Sequence, residues 1–170
     1  QASFSARANY LDLNNIEIRT PGLDQVLATA DILCTATSVP VGQGPVFESL
    51  AVKPSLHINA VGSDFTGKVE LPLPLLEKSL VCPDFKAQAI REGECQQLRA
   101  EQIGPDLLAL VNCQDQYSAH RKSLTVFDST GWALEDQVAM GILMHYGREL
   151  GCGTQMNMAN IGSDPYNPYA

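Results

Sequence analysis

Along this chain, segments whose apolar residues have the spacing of a helix alternate with apolar segments typical of strands. Leu23, Val26, Leu27 and Ala30 recur at the i, i+3, i+4, i+7 spacing of a helix with one apolar face. The almost wholly apolar run at residues 32–37 follows at once, as expected of a strand that is covered on both faces. Helices and strands that alternate in this way predict an α/β protein with a parallel sheet.

The same pattern continues along the rest of the chain. Strands are predicted at residues 16–19, 56–61, 79–82 and 123–127, and helices at residues 2–12, 73–78, 84–98, 105–111 and about 132–150. The last helix has apolar residues along one side, and Gly151 and Gly153 are placed to terminate it. Gly42 and Gly44 lack the third glycine of a dinucleotide-binding fingerprint, so a turn is the better interpretation there. The proline- and tyrosine-rich tail at residues 163–170 is expected to be extended.

Composition and charge narrow the class of protein. With 170 residues the chain is long enough for one domain with a core, or for part of a larger protein. Its 45% hydrophobic and 18% charged residues are ordinary for a globular protein and argue against disorder. The net charge of −8 argues against nucleic acid as a partner. No apolar run has the length needed to span a bilayer, so no membrane partner is expected.

The five cysteines are odd in number, widely spread and never arranged as a Cys-x-x-Cys pair. We therefore expect reduced thiols in a cytoplasmic protein, most of them filling the core, and neither a disulfide framework nor a zinc site. The three histidines share no metal-ligand spacing, which predicts no metal site. Glu92, Glu94 and Cys95 fall on the predicted helix 84–98, where charged side chains are usually solvated.

Small and polar residues follow three of the predicted strands, at residues 35–37, 61–64 and 128–131. Because the carboxyl ends of parallel strands lie along one edge of a sheet, we expect these segments to meet there. Glycines and short hydroxyl side chains at such an edge let a flat ligand approach the main chain closely. For one segment alone, helix capping would be the better explanation. Three such segments in one short domain favour a ligand site.

Asp64 is the sharpest candidate for chemistry, since it follows a predicted strand and precedes Lys68 by four residues. Its carboxylate could act as a general acid or base, bind the ribose of a cofactor, or stabilise a turn with the residues that follow. Taken alone, the turn is the favoured interpretation. Lys68 could contact a phosphate, pair with Glu70, or remain solvated.

Three segments together, residues 30–37, 53–71 and 125–131, resemble the ornithine cyclodeaminase/mu-crystallin family. Their order and approximate spacing also match, and the likeness covers nearly the whole chain. Within that family, residues 92–98 and 129–136 look most like the lysine and ornithine cyclodeaminases.

The resemblance implies an NAD-dependent enzyme that acts on a small amino acid. Family cyclodeaminases use bound NAD⁺ to oxidise the α-amine carbon of a diamino acid to an imine, which the side-chain amine attacks. Ammonia leaves, and the same NADH reduces the cyclic imine, so that ornithine gives proline and lysine gives pipecolate. Asp64 matches the catalytic aspartate of the family, which handles the proton of the attacking amine. Positions that contact NAD in the family match Thr37, Asn59, Ala60, Val61, Gly62, Lys68 and Ser129.

The resemblance also implies how the chain is organised. Residues 1–131 match the distal part of a Rossmann-like NAD-binding domain, a parallel sheet flanked by helices that here misses its first βαβ unit and glycine-rich loop. Residues 132–170 match a C-terminal helix and tail that return toward an N-terminal substrate and dimerisation domain. We expect the missing parts to precede Gln1 and the full-length protein to be a homodimer. Thr66 stands where family members usually have proline.

Two other functions remain open within the family. One is an NAD(P)H-dependent ketimine reductase or amino-acid dehydrogenase, which would turn over the nicotinamide. The other is a non-catalytic binding protein like the mu-crystallins. The choice of diamino acid and the preference for NAD or NADP also stay open, since the residues that decide them are expected upstream.

Overall fold

The computed structural model describes Glu17 and residues 19–154 of the chain. It divides the chain into two compact units, Gln1–Trp132 and Ala133–Ala170. The predicted helix 2–12 and the predicted extended tail 163–170 lie outside the described residues. Of the predicted strand 16–19, Glu17 and Arg19 are described; they lie in no strand, and their exposed side chains form an ion pair of 2.7 Å.

Four parallel strands form a single sheet in the first unit, in the order β1-β2-β4-β3. Their bounds are β1 Ile32–Thr35, β2 His57–Ala60, β3 Leu80–Pro83 and β4 Thr125–Asp128. Each overlaps a strand predicted from the apolar pattern. The prediction of an α/β protein with a parallel sheet is confirmed.

The helices are distributed among these strands in chain order: one precedes β1, helices form the crossovers from β2 to β3 and from β3 to β4, and one follows β4, whereas the connection from β1 to β2 contains no helix. Their bounds are α1 Leu23–Thr29, α2 Leu73–Leu76, α3 Lys86–Ala89, α4 Leu107–Asn112 and α5 Ala133–Glu149, with 3₁₀ helices at Glu94–Gln97, Ala100–Gln102 and Gln114–Lys122. Asp106 caps α4 by accepting the Ala109 N–H at 2.9 Å. In the second unit, Gly151 and Gly153 follow α5 with positive φ angles, so the predicted end of that helix is confirmed. Among the described residues, no helix is long and apolar enough to cross a membrane.

The predicted helix 84–98 is wrong beyond its first turn. After α3 the chain enters a 3₁₀ turn, in which the main-chain N–H groups of Glu94 and Cys95 each donate to the Asp128 carboxylate at 2.8 Å. In a continuous α-helix these two N–H groups would bond to carbonyls four residues earlier. The side chain of a distant strand therefore takes the place of the helical bonds.

One face of the sheet forms the core. Residues paired across parallel strands share a face, and on this face the side chains of Ile58, Val126 and Val81 are almost fully buried. They pack with α1 and α2, whose buried residues are Leu27, Leu75 and Leu76. The core is continuous across the sheet and two of the helices that cover it.

The second face of the sheet is largely open within the described residues. Ile32 is 64% exposed and Cys34 is also exposed, so the prediction that residues 32–37 are covered on both faces is wrong here. The physical reason is that, within the described residues, β1 is an edge strand and no element lies over these two side chains. On the same face His57 Nδ1 lies 2.8 Å from Thr125 Oγ1, a polar bridge between β2 and β4.

The cysteines also differ from expectation. All five are free, but Cys82 and Cys95 are buried whereas Cys34, Cys113 and Cys152 are exposed. The expectation that most of them fill the core is therefore wrong. The exposed three lie on the open sheet face, after α4 and after α5, where none of them meets the core.

Truncation of α1 tests the core. Leu27 is fully buried whereas Leu23, one turn earlier on the same helix, is half exposed. We expect Leu27→Ala to lower the free energy of unfolding by about 2–5 kcal/mol, because it removes buried methyl groups and leaves a cavity. Leu23→Ala is the matched control and should cost about 0.5 kcal/mol or less. Urea unfolding of both variants measures the difference, and equal losses would contradict this assignment of the core.

Candidate functional site

The ends of the strands meet at one edge, as predicted. The register aligns Thr35, Ala60, Asp128 and Pro83 in a row at the carboxyl end of the sheet. The three segments of small and polar residues, 35–37, 61–64 and 128–131, therefore begin side by side. The main chain links two of them directly, since the Val61 N–H donates to the Thr35 carbonyl at 2.9 Å.

A buried carboxylate joins the segments that follow β1 and β2. Glu70 Oε1 accepts both the N–H and the hydroxyl of Thr37, each at 2.6 Å, and Glu70 Oε2 accepts the N–H of Gly62 at 3.0 Å. A Cβ atom at Gly62 would lie 2.1 Å from Glu70 Oε1, so only glycine allows this approach. Thr37 and Gly62, two of the residues matched to NAD contacts, thus meet on one side chain.

Asp64 and Lys68 form an ion pair across the turn between them. The Lys68 ammonium donates to Asp64 Oδ1 at 2.7 Å, and the hydrogen bond to Lys68 is the largest cause that lowers the pKa of Asp64 below its usual range. The Asp64 side chain is 59% exposed, whereas that of Lys68 is 16% exposed. Lys68 therefore pairs with Asp64 and not with Glu70, and the carboxylate remains accessible to a ligand.

The side chain of Gln96 is hydrogen-bonded to the same turn. Its Oε1 accepts the Gly67 N–H at 2.7 Å, and its Nε2 donates to the Lys68 carbonyl at 3.0 Å and to the Gly93 carbonyl at 2.8 Å. Gly67 has a φ of +80°, a conformation that favours glycine. The Asp64–Lys68 ion pair is thus presented on a turn that is bonded to the 3₁₀ segment Glu94–Gln97.

The segment after β4 is organised by Asp84. Its Oδ2 accepts the Ser129 hydroxyl at 3.1 Å and the Thr130 N–H at 2.9 Å. Trp132, which follows this segment, stacks on Phe85 with ring centroids 4.9 Å apart. Ser129 therefore lies at the predicted edge, with its hydroxyl proton directed to Asp84.

The remaining predicted contacts divide between the two faces of the sheet. Ala60 is buried on the core face, and Val61 lies exposed just beyond the strand. Asn59 belongs to the opposite, open face, where its side chain lies 3.2 Å from His57 Nε2 and donates to Cys34 Sγ at 3.7 Å. The structure thus brings Thr37, Gly62 and Asp64 to the edge but places the Asn59 side chain on the open face.

The buried carboxylates behind this edge were not predicted from the sequence. Glu94, predicted to be solvated, is fully buried, and its Oε1 and Oε2 accept the N–H groups of Glu70 and Leu71 at 2.7 and 3.2 Å. That prediction was wrong because Glu94 turns inward from a 3₁₀ helix. The glycine that precedes it, Gly93, was the one sequence signal of close packing here, because a Cβ at that position would lie 2.5 Å from the Asp128 carboxylate.

Glu70, Glu94 and Asp128 form a series in which the carboxylate of each residue binds the main chain of another segment. We call these three residues the carboxylate series. Burial, as the largest cause, raises the pKa of Glu94 to about 7 and that of Asp128 to about 6, although N–H groups that donate to each carboxylate oppose the shift. Within the described residues, no group of His, Cys, Asp or Glu is arranged to hold a metal ion.

A second concave region lies away from this edge. A cavity of about 720 Å³ opens on the other face of the sheet, lined by residues that include His57, Thr125, Phe127, His120 and Tyr117. None of the residues predicted to bind a ligand line it. The candidate site is therefore the carboxyl edge, where the predicted residues and the ion pair lie.

Comparison with known proteins gives consistent matches. The family model described as the ornithine cyclodeaminase/mu-crystallin family matches residues 3–146. An L-lysine cyclodeaminase of Streptomyces rapamycinicus is 40% identical over 99% of this chain and 48% of its own length. An ornithine cyclodeaminase of Agrobacterium fabrum is 34% identical over 69% of this chain and 33% of its own. The chain spans about half, or less, of the length of these curated relatives.

Solved structures agree with the sequence matches. A lysine cyclodeaminase, described as recognising L-lysine, L-ornithine and L-2,4-diaminobutyric acid, has a TM-score of 0.79 at 42% identity over 96% of this chain and 47% of its own. The iminosuccinate reductase of Paracoccus denitrificans, solved in complex with NAD⁺, has a TM-score of 0.68 at 27% identity over 91% of this chain and 48% of its own. These matches confirm the Rossmann-like α/β fold.

The raised pKa values predict how stability depends on pH. A carboxyl group with a raised pKa in the folded state binds its proton more tightly there than in the unfolded chain. Its contribution to the free energy of unfolding is therefore complete below pH about 4 and is lost as pH rises to about 7. For Glu94 this loss is about 3 kcal/mol.

Urea unfolding between pH 5 and pH 8 measures this effect. Glu94→Gln is the control, because an amide does not titrate, and the pH slope of the variant should be smaller than that of the unchanged protein. The lowered pKa of Asp64 acts below pH about 4 and does not overlap this window. Identical slopes for the two proteins would show that Glu94 does not titrate in this range.

Proposed function

Because the chain belongs to the ornithine cyclodeaminase/mu-crystallin family, we propose that it supplies the distal part of the NAD-binding domain of an amino-acid cyclodeaminase. The observation that carries the proposal is an exposed carboxylate, Asp64, paired with Lys68 at the carboxyl edge of a parallel sheet. The identity of 40% with a lysine cyclodeaminase over nearly the whole chain supports it. The substrate is a diamino acid, lysine or ornithine.

The residues at the edge fit an NAD cofactor. Dinucleotides bind at the carboxyl ends of parallel strands in this class of fold, and Gly62 lies at this end with Glu70 filling the space that its side chain would take. The Lys68 ammonium is a donor suited to a phosphate oxygen. The NAD⁺ complex of the related iminosuccinate reductase also supports this cofactor. Thr37, Ala60, Val61 and Ser129 complete the proposed contacts at the edge, and Asn59 contributes from the end of β2.

Bound NAD⁺ would accept a hydride from the α-carbon of the substrate and return it to the cyclic imine, with no net redox change. The role of Asp64 is to accept the proton of the side-chain amine, which must be neutral to attack the imine carbon. A new carbon–nitrogen bond then forms, and the bond to the α-nitrogen breaks as ammonia leaves. If Lys68 moves to a phosphate of the cofactor, the pKa of Asp64 rises toward its ordinary value and the carboxylate becomes a stronger base.

The complete protein contains this chain and the preceding half that its relatives have. In it, residues 1–131 belong to the NAD-binding domain and residues 132–170 return to the substrate and dimerisation domain. We place the complete protein in the cytoplasm as a homodimer. In α5 the described apolar side chains Ile142, Leu143 and Tyr146 are exposed, which supports a further contact for this helix in the complete protein.

An NAD(P)H-dependent reductase is the second candidate, since the iminosuccinate reductase matches most of this chain. It would consume one reduced nicotinamide for each product, whereas a cyclodeaminase has no net turnover of the nicotinamide.

Removal of the charge at Asp64 tests the catalytic role. In the complete protein supplied with NAD⁺, we expect Asp64→Asn to lower kcat for ammonia release from lysine or ornithine by about 100-fold or more, because the base is lost. Asp31→Asn is the matched control, since this exposed carboxylate also pairs with a lysine, Lys53, but lies just before β1 at the opposite, amino end of the sheet, and it should leave kcat unchanged. Ammonia release by Asp64→Asn at the normal rate would exclude this role for Asp64. No ammonia from the unchanged protein would favour a binding protein.

Product balance separates the two enzyme classes. A cyclodeaminase should release one ammonia and one cyclic imino acid for each diamino acid, while the absorbance of the reduced nicotinamide returns to its starting value. Assays with lysine and with ornithine, followed by absorbance and by amino-acid chromatography, measure both quantities. Steady accumulation or consumption of reduced nicotinamide would instead support the reductase or dehydrogenase.

A further inference from the structure

We propose that Glu70 is a positioning residue that fixes the Thr37 hydroxyl as a hydrogen-bond acceptor for a ligand N–H group, the carboxamide of the nicotinamide. The proposal rests on the proposed function, since it takes the carboxyl edge as the NAD site. Glu70 itself touches neither cofactor nor substrate in this assignment. It acts through the segments that follow β1 and β2.

The proton of the Thr37 hydroxyl is directed to Glu70. Thr37 Oγ1 lies 2.6 Å from Glu70 Oε1, and both side-chain oxygens of Glu70 already accept main-chain N–H groups, from Thr37 and Gly62. The hydroxyl therefore donates its proton to Glu70, and its lone pairs are left to accept a hydrogen bond from a ligand. The N–H of Thr37 is used by the same oxygen at 2.6 Å, so Thr37 has no remaining donor for a ligand.

Glu70 also sets the spacing of the two segments. The other oxygen of Glu70 accepts the N–H of Gly62 at 3.0 Å, so the segments after β1 and β2 are bonded to one rigid, planar group. Gly62 lies so close that a Cβ there would overlap the carboxylate. The distance between Thr37 and the turn that carries Asp64 is therefore set by Glu70.

Glu70 itself is held in a fixed position. The Glu70 N–H donates to Glu94 Oε1 at 2.7 Å, and the Glu70 carbonyl accepts the Val46 N–H at 2.9 Å. The side chain is completely buried, so water cannot replace the bonds that it makes. Because both its main chain and its carboxylate are bonded, Glu70 holds the hydroxyl in one orientation.

The test compares NAD⁺ with its 3-acetylpyridine analogue, in which a methyl group replaces the carboxamide nitrogen and no N–H remains. The complete protein should bind NAD⁺ more tightly than the analogue. Glu70→Gln should weaken NAD⁺ binding by about tenfold, because an amide must turn its NH₂ toward either the Thr37 or the Gly62 N–H. The ratio of the two dissociation constants should fall toward one, and kcat at saturating NAD⁺ should change less than KM for NAD⁺.

Three further variants keep the proposal falsifiable. Thr37→Val removes the acceptor without touching Glu70, and should lower the ratio even if Glu70→Gln fails to fold. Thr37→Ser keeps the hydroxyl and should retain the ratio. Leu75→Ala, in the buried helix α2, controls for stability, since it should lower the melting temperature without changing the ratio.

Titration calorimetry gives the dissociation constants, and melting of the ligand-free proteins gives stability. An unchanged ratio in both Glu70→Gln and Thr37→Val, or an equal change in Leu75→Ala, would overturn the role of Glu70. If the unchanged protein binds no NAD⁺, the proposed function fails instead. The two failures are therefore distinguishable.

Discussion

The carboxyl edge of this sheet depends on buried carboxylates that bind main-chain N–H groups of other segments. Glu70 binds the segments after β1 and β2, Glu94 binds the main chain at Glu70, and Asp128 binds the main chain at Glu94. An anion taken out of water loses several kcal/mol of solvation, which is offset only while its hydrogen bonds remain intact. Each segment is therefore stable in its place only if the next one is also in place.

The sequence predicted what is local and periodic. The strands, the helix α1 and the end of α5 follow from apolar spacing and glycine placement, and the alignment of strand ends follows from a parallel sheet. The break in the predicted helix 84–98 did not follow, because Asp128 lies 34 residues from Glu94, whose N–H it accepts. The exposure of β1 did not follow either, since coverage of an edge strand depends on elements elsewhere.

For the candidate site, the sequence predicted the residues at the edge but not the side chains that hydrogen-bond to them. The sequence singled out Asp64 and Lys68 as separate candidates four residues apart, and the structure joins them in an ion pair. Glu70 and Gln96 carried no signal, because an acidic residue or an amide in a loop is usually solvated. Their importance comes from N–H and carbonyl groups that only the folded chain brings within reach.

The glycine at position 62 has a consequence for evolution and engineering. Because the Glu70 carboxylate fills the space beside Gly62, even a methyl group has no room there. The side of the edge that packs against Glu70 therefore tolerates almost no substitution. The solvent-facing side of the edge differs, because the side chains of Val61 and Phe65 are exposed there. In natural or designed descendants of this protein, we therefore expect substitutions that change specificity to accumulate on the solvent-facing side of the edge. The side that packs against Glu70 should be inherited unchanged.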